Sequence, residues 1–131
     1  MTFNFTDAWI LVSVYYSEKV GWATVSDTIV CADYSNHAII TFEELSHTIP
    51  KLISVGIMKQ DQERFGTTEQ FSDWWFDAFD ERKKEYILTE IAAVETYLNT
   101  TFADVVAGAE EEQLQLTEAT FRKVVDAYLN K

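Results

Sequence analysis

Thr41-Phe42-Glu43-Glu44-Leu45-Ser46-His47-Thr48-Ile49-Pro50-Lys51-Leu52-Ile53-Ser54-Val55-Gly56-Ile57-Met58 is the stretch on which the reading of this chain turns. Thr41 with Glu44 three residues later is a capping box. The hydroxyl accepts an amide proton at the helix start, and the carboxylate accepts one from the cap residue itself. Ile40 and Leu45 can close an apolar staple across that start. Leu45, Ile49, Leu52 and Ile53 recur at helical spacing and form an inner stripe. Gly56 ends the helix. Pro50 lacks a backbone donor and crowds the carbonyl of Ser46, so a kink or early break is expected there. Beyond Gly56, residues 57–60 and 64–67 flank Asp61-Gln62-Glu63, which predicts a hairpin.

Upstream, two more helices are expected. Thr6 is placed as the cap of the first, with Phe5 and Ile10 as its staple. It runs to about Lys19 and stops near Gly21. It is apolar on nearly all sides, which puts it at the centre of the fold. Residues 21–23 read as extended. Thr24 caps the second helix, with Asp27 near the positive end of its dipole. Val25, Ile29 and Ala32 share one face, and Ser35-Asn36-His37 form the closing turn.

Downstream, Ser72 is expected to cap a fourth helix stapled by Phe71 and Phe76. That helix is drawn to Asn99, with a bend near the mixed-charge block at residues 80–85, where Asp80 and Lys84 stand four apart. Residues 101–112 show little beyond a possible helical turn over 102–107. Thr117 caps the last helix, stapled by Leu116 and Phe121. Its apolar face is Phe121, Val124, Val125, Tyr128 and Leu129.

Composition narrows the class. The chain has 131 residues, 47% hydrophobic, with a formal charge of −12. That predicts one compact domain rather than a disordered chain. The charge is spread evenly: −3 over residues 1–40, −2 over 41–70, −4 over 71–99 and −3 over 100–131. No segment is a basic arm for phosphate. The run from Ala8 to Tyr16 is far shorter than the ~20 residues of a membrane span. The opening Met1-Thr2-Phe3-Asn4-Phe5 lacks the basic residues of a signal peptide, and one Cys makes no internal disulfide. A cytoplasmic location is expected, with Cys31 as a buried apolar thiol.

The order helix, short strand, helix, turn, helix, hairpin resembles the winged helix-turn-helix domain. Leu45, Ile49, Leu52, Ile53, Gly56, Ile57 and Met58 carry the likeness, followed by Arg64-Phe65-Gly66-Thr67-Thr68. Asp33-Tyr34-Ser35-Asn36-His37-Ala38-Ile39 before Thr41-Phe42-Glu43-Glu44-Leu45 also looks like a set of uncharacterised bacterial winged-helix proteins. The resemblance implies a mainly α fold with a small β-hairpin wing. It covers a winged helix-turn-helix domain over residues 1–70. C-terminal helices over 71–131 pack on it as one unit and serve as a possible dimerisation element.

In that family the third helix enters the major groove and the wing touches phosphates. The corresponding outward positions here are Glu43, Ser46, His47, Pro50, Lys51 and Ser54. Base reading favours Arg, Lys, Asn and Gln, and Lys51 alone qualifies. Glu43 and Glu44 repel phosphate, and Arg64 at the wing sits beside Asp61 and Glu63. Glu43, Ser46, His47, Lys51 and Arg64 are therefore the expected contacts for nucleic acid or for a protein partner. Lys51, Lys59 and Arg64 could form a thin phosphate-contacting strip, but ordinary solvated charge is the favoured reading.

Trp74 and Trp75 are adjacent on a helix and point about 100° apart. Either one faces the core and the other a partner chain, or both line a broad aromatic core. Trp74, Trp75 and Phe79 are taken as the oligomer interface. His37 and His47 could join Cys31 or Asp33 around zinc, but no pair has ligand spacing, so no metal or cofactor is expected. Glu43, Glu44 and His47 lack the signs of a tuned acid–base site, and no catalytic residue is assigned. A pocket between the aromatic helices would suit a small ligand, but only aromatic abundance argues for it. The expected function is a non-enzymatic winged-helix adaptor or regulator, homodimeric, with weak or no DNA binding. The alternative is a winged-helix transcriptional regulator that binds DNA as a dimer. No membrane partner is expected.

Overall fold

A computed structural model describes residues 1–79, 86–106 and 112–131. The element order is α1 (Phe5–Ser17), β1 (Ala23–Thr24), α2 (Val25–Asn36), α3 (Phe42–Ser54), β2 (Met58–Asp61), β3 (Arg64–Thr67), α4 (Glu69–Ala78), α5 (Ile87–Thr101) and α6 (Glu118–Leu129). The chain is mainly helical, with one small antiparallel sheet of order β1-β3-β2. None of the described helices is long and apolar enough to cross a membrane.

α1 is the hub. Every residue from Asp7 to Val14 is buried, and α2, α3, α5 and β3 all pack against it. Its start differs from the expectation. Asn4, not Thr6, is the cap: the Asn4 side chain accepts from the Asp7 amide at 2.9 Å, and the Asn4 amide donates to the Asp7 carboxylate at 3.0 Å. A reciprocal pair satisfies two orphan groups where Thr6 offers one. Phe5 then lies inside the helix, 38% exposed, and Phe3 takes the buried position before the cap.

Three other helices begin where local chemistry dictates. Thr24 accepts from the Asp27 amide, Thr41 forms its box with Glu44, and Thr117 accepts from the Thr120 amide. The turn after α2 closes with His37 at φ 53°, in the left-handed region. Pro50 does not break α3, which runs through it to Ser54. Leu45, Ile49 and Leu52 are fully enclosed on either side of it, and Pro50 itself is buried. Tertiary packing of that stripe outweighs the lost donor.

The hairpin turn is shorter than expected. Asp61 pairs with Arg64, so the loop is only Gln62-Glu63, with Gln62 at φ 57°. β3 lies between its neighbours, with Phe65 opposite Gln60 on one side and Ala23 on the other. The Glu18 carboxylate accepts from the Thr67 amide and, at 2.6 Å, from its hydroxyl, which ties the end of α1 to β3. Gly66 lies under the turn at Gly21, with the Lys59 side chain across it.

The long fourth helix does not form. Thr68 is the cap of α4 and Ser72 lies inside it, donating to the Glu69 carbonyl at 3.1 Å. The Thr68 hydroxyl is already committed to the Gly56 carbonyl at 2.6 Å, so it makes no cap bond. α4 stops at Ala78, Phe79 turns extended, and α5 begins again at Ile87. The charged block, with the Asp80–Lys84 pair, lies outside the described residues. α5 packs on α1 through Ile91, Val94 and Leu98. The Tyr16 hydroxyl donates to the Glu90 carboxylate across that contact at 2.7 Å. Residues 102–104 form a turn; Ala107, the end of the expected helical turn, lies outside the described residues.

A methyl group at Gly66 would meet the Gly21 carbonyl oxygen at 2.5 Å and Lys59 Cε at 2.6 Å. Lysine can swing aside, but the backbone of the turn cannot. Gly66→Ala is expected to cost about 1–3 kcal/mol, read as a lower urea midpoint at unchanged slope.

Candidate functional site

The outer side of α3 and the β2–β3 hairpin carry the residues singled out from the sequence. Glu43 and His47 are exposed, Ser46 is half-buried, and Glu44 is engaged by the Thr41 amide at 2.8 Å. Pro50 faces inward rather than outward. Ser54 is exposed and donates to the Lys51 carbonyl at 2.6 Å. A shallow cleft of about 230 Å³ separates the starts of α1 and α3, with Glu43 and His47 on its rim and Asp7 on its wall.

Lys51 is the main correction. It does not project outward as a phosphate contact. Its side chain is only 12% exposed, and its ammonium donates to Asp7 Oδ2 at 2.8 Å and to the Thr2 carbonyl. The same group stands 4.6 Å from the centre of the Phe3 ring. The Asp7 side chain is fully buried and also accepts from the Thr48 hydroxyl at 2.7 Å. The carboxylate thus accepts from Lys51, Thr48 and the Asn4 amide. Residues 1–4 are held down by Lys51 on one side and by Asn99 on the other. Asn99 accepts from the Phe3 amide at 2.7 Å and donates to its carbonyl at 2.9 Å. The sequence signal for this was an aspartate at the head of an apolar helix, three residues after Asn4.

Three other cations, Lys19, Lys59 and Arg64, lie together at the sheet around Trp22. Lys59 Nζ lies 4.4 Å and Arg64 Cζ 4.5 Å from the Trp22 ring centre. Lys19 pairs its backbone with Trp22 through an isolated bridge. Carboxylates offset two of them: Asp27 lies 3.8 Å from Lys19, and Asp61 lies 2.7 Å from Arg64.

Trp75 is 8% exposed and sits against Tyr15 and Tyr16 at 4.8 and 5.5 Å between ring centres. Trp74 is half-buried and stacks on Tyr97 at 4.3 Å. Phe79 is half-buried and lies 4.4 Å from Trp75. Much of the aromatic surface on α4 is therefore covered by the chain itself. Phe76, three positions from Phe79, turns outward and is 74% exposed.

Among the described residues, no three histidine, cysteine or acidic side chains gather around a common point. Cys31 is half-buried, and burial pushes its thiol up, with a lesser opposing effect from Ser17. No protein-family model, curated protein or solved structure matches the chain significantly.

Lys51→Met leaves the Asp7 carboxylate buried without its counter-ion. The expected loss is about 3–5 kcal/mol of unfolding free energy. Arg64→Ala removes an exposed pair and is expected to cost less than about 1 kcal/mol. Comparable losses for the two in urea titrations would contradict the inward placement of Lys51. For Cys31, less thiolate is present at neutral pH than in the unfolded chain. Iodoacetamide labelling followed by mass spectrometry should be slower in buffer than in denaturant at the same pH.

Proposed function

We propose that this chain is a winged-helix protein with a non-enzymatic role, working through protein contact as a homodimer or an adaptor, with weak or no DNA binding. The observation that carries this reading is the inward Lys51. The helix that would enter a groove spends its only lysine on Asp7. Its exposed start carries Glu43, with Glu44 beside it. A duplex would meet carboxylate there rather than ammonium, and phosphate contact supplies most non-specific affinity. The winged-helix assignment is supported by the order α1, β1, α2, α3, β2, β3, with β1 pairing onto the hairpin. Phe76 and the exposed edges of Trp74 and Phe79 are suited to a protein surface, because large aromatics are favoured at interface centres.

One observation favours the second reading, a dimeric DNA-binding regulator. Lys59 and Arg64 flank Trp22 at the hairpin, where a wing would touch phosphates. Two copies would double that small cationic surface.

Fluorescence anisotropy of a labelled random duplex at about 50 mM salt separates the two readings, because low salt strongly favours phosphate contacts. The protein-contact reading predicts no titratable binding. Binding that weakens steeply with added salt, and is lost in Arg64→Glu, would overturn it in favour of the regulator.

A further inference from the structure

The face that α2, α3 and the hairpin present together is partly occupied by the end of the same chain. Phe121 of α6 is 6% exposed and lies 5.7 Å from the ring centre of Phe42, the first residue of α3. The Tyr128 hydroxyl donates to the Asp33 carboxylate of α2 at 2.5 Å. Thr120 and Val124 wall a groove of about 480 Å³ against the start of α2 and the hairpin tip. Ahead of α6, residues 112–115 clasp the hairpin. Gln60 donates to the Gln113 carbonyl at 2.8 Å and accepts from the Gln115 amide at 3.0 Å. Gln115 in turn accepts from the Gln62 amide at 2.6 Å.

α6 is the least buried of the described helices. α1 buries nine of its thirteen residues. α6 buries Phe121 alone of its twelve. Val124, Val125 and Tyr128 are only half-buried, and Leu129 is 62% exposed. The polar clasp at the hairpin is exposed to water, where such bonds contribute little net stability. An element with few buried apolar contacts opens at lower free energy than the core. Its side chains nonetheless form a self-sufficient ligand: aromatic at 121 and 128, valine at 124 and 125, on one side of an amphipathic helix.

We propose that this face is a helix-acceptor site, filled at rest by α6 of its own chain and open to α6 of a second copy. Exchange of an identical element is a low-cost route to a dimer, because each copy regains the contacts it gives up. The occupant is specified by the site. Phe42 matches the aromatic ring at 121, and Asp33 accepts the phenol at 128. The inference rests on the protein-contact reading above and names its partner as the same chain.

The probe is a labelled synthetic peptide of residues 112–131, titrated into the full-length chain. In the native chain the site is already filled, so apparent affinity is reduced by the small open fraction. In the full-length double variant Phe121→Ala with Tyr128→Phe, the chain's own helix is a poorer competitor. The peptide is expected to bind that variant at least about tenfold more tightly. No gain, in a variant whose helical circular dichroism and melting of α1–α5 are retained, would overturn the proposal.

If the double variant does not fold, native-state trypsin cleavage of the unmutated chain decides. Arg122 and Lys123 lie in α6, and Lys51 lies in the core contact to Asp7. Cleavage in α6 faster than at Lys51 supports a separately opening helix, and equal protection contradicts it. Duplex binding in the earlier titration would overturn the protein-contact reading and with it the exchange that rests on it. Failure of the peptide removes the exchange alone.

Discussion

A carboxylate taken wholly out of water must be matched, and in this fold that carboxylate is Asp7. The desolvation penalty of a lone buried charge is several kcal/mol. Asp7 avoids it through Lys51, the Thr48 hydroxyl and the Asn4 amide. Those three partners come from α3 and from the segment leading into α1. Meeting the needs of one side chain therefore sets the approach of α3 to α1 and pins residues 1–4 across them. Everything carried on α3, including the turn into the hairpin, inherits its position from that contact.

The same contact shapes what the surface offers. Lys51 and Asp7 leave the surface together, so the exterior keeps the net charge of −12, but the outer side of α3 loses its one lysine. Lys51 is lost to the core, so the cations left on this half of the molecule cluster at Trp22, with Asp27 and Asp61 close to two of them. The start of α3 is left with carboxylates, a histidine and the ring of Phe42. An aromatic ring at a helix start is a better anchor for another helix than for a phosphate backbone. The lightly buried α6 lies on that ring, which links the electrostatics of α3 to the proposal that the face exchanges helices.

Features decided within four residues were legible from the sequence. Thr24, Thr41 and Thr117 cap their helices as read, because a cap bond joins a side chain to an amide two or three positions away. The hairpin and the central place of α1 followed from turn residues and from an apolar run that only Ser13 interrupts. Thr6 lost to Asn4 because Asp7 returns a second bond, and that preference is set partly by the burial of Asp7. Pro50 does not end α3, for a related reason. Its local cost is real, but Leu45, Ile49 and Leu52 hold both sides of α3 in the core. The break after Ala78 coincides with Phe79 leaving the helix to pack on Trp75, a choice settled by tertiary contact. Lys51 was the least legible residue. Its partner lies 44 residues away, and periodicity placed it on the outside of the helix.

A double-mutant cycle between Asp7→Asn and Lys51→Met addresses the central contact directly, because it isolates the pairwise energy from the separate costs of each change. Urea unfolding of the four proteins supplies the numbers. A coupling above about 2 kcal/mol is predicted for a pair enclosed in this way. A coupling below about 0.5 kcal/mol, the range of an exposed pair, would contradict the account and return Lys51 to the surface as a contact for phosphate.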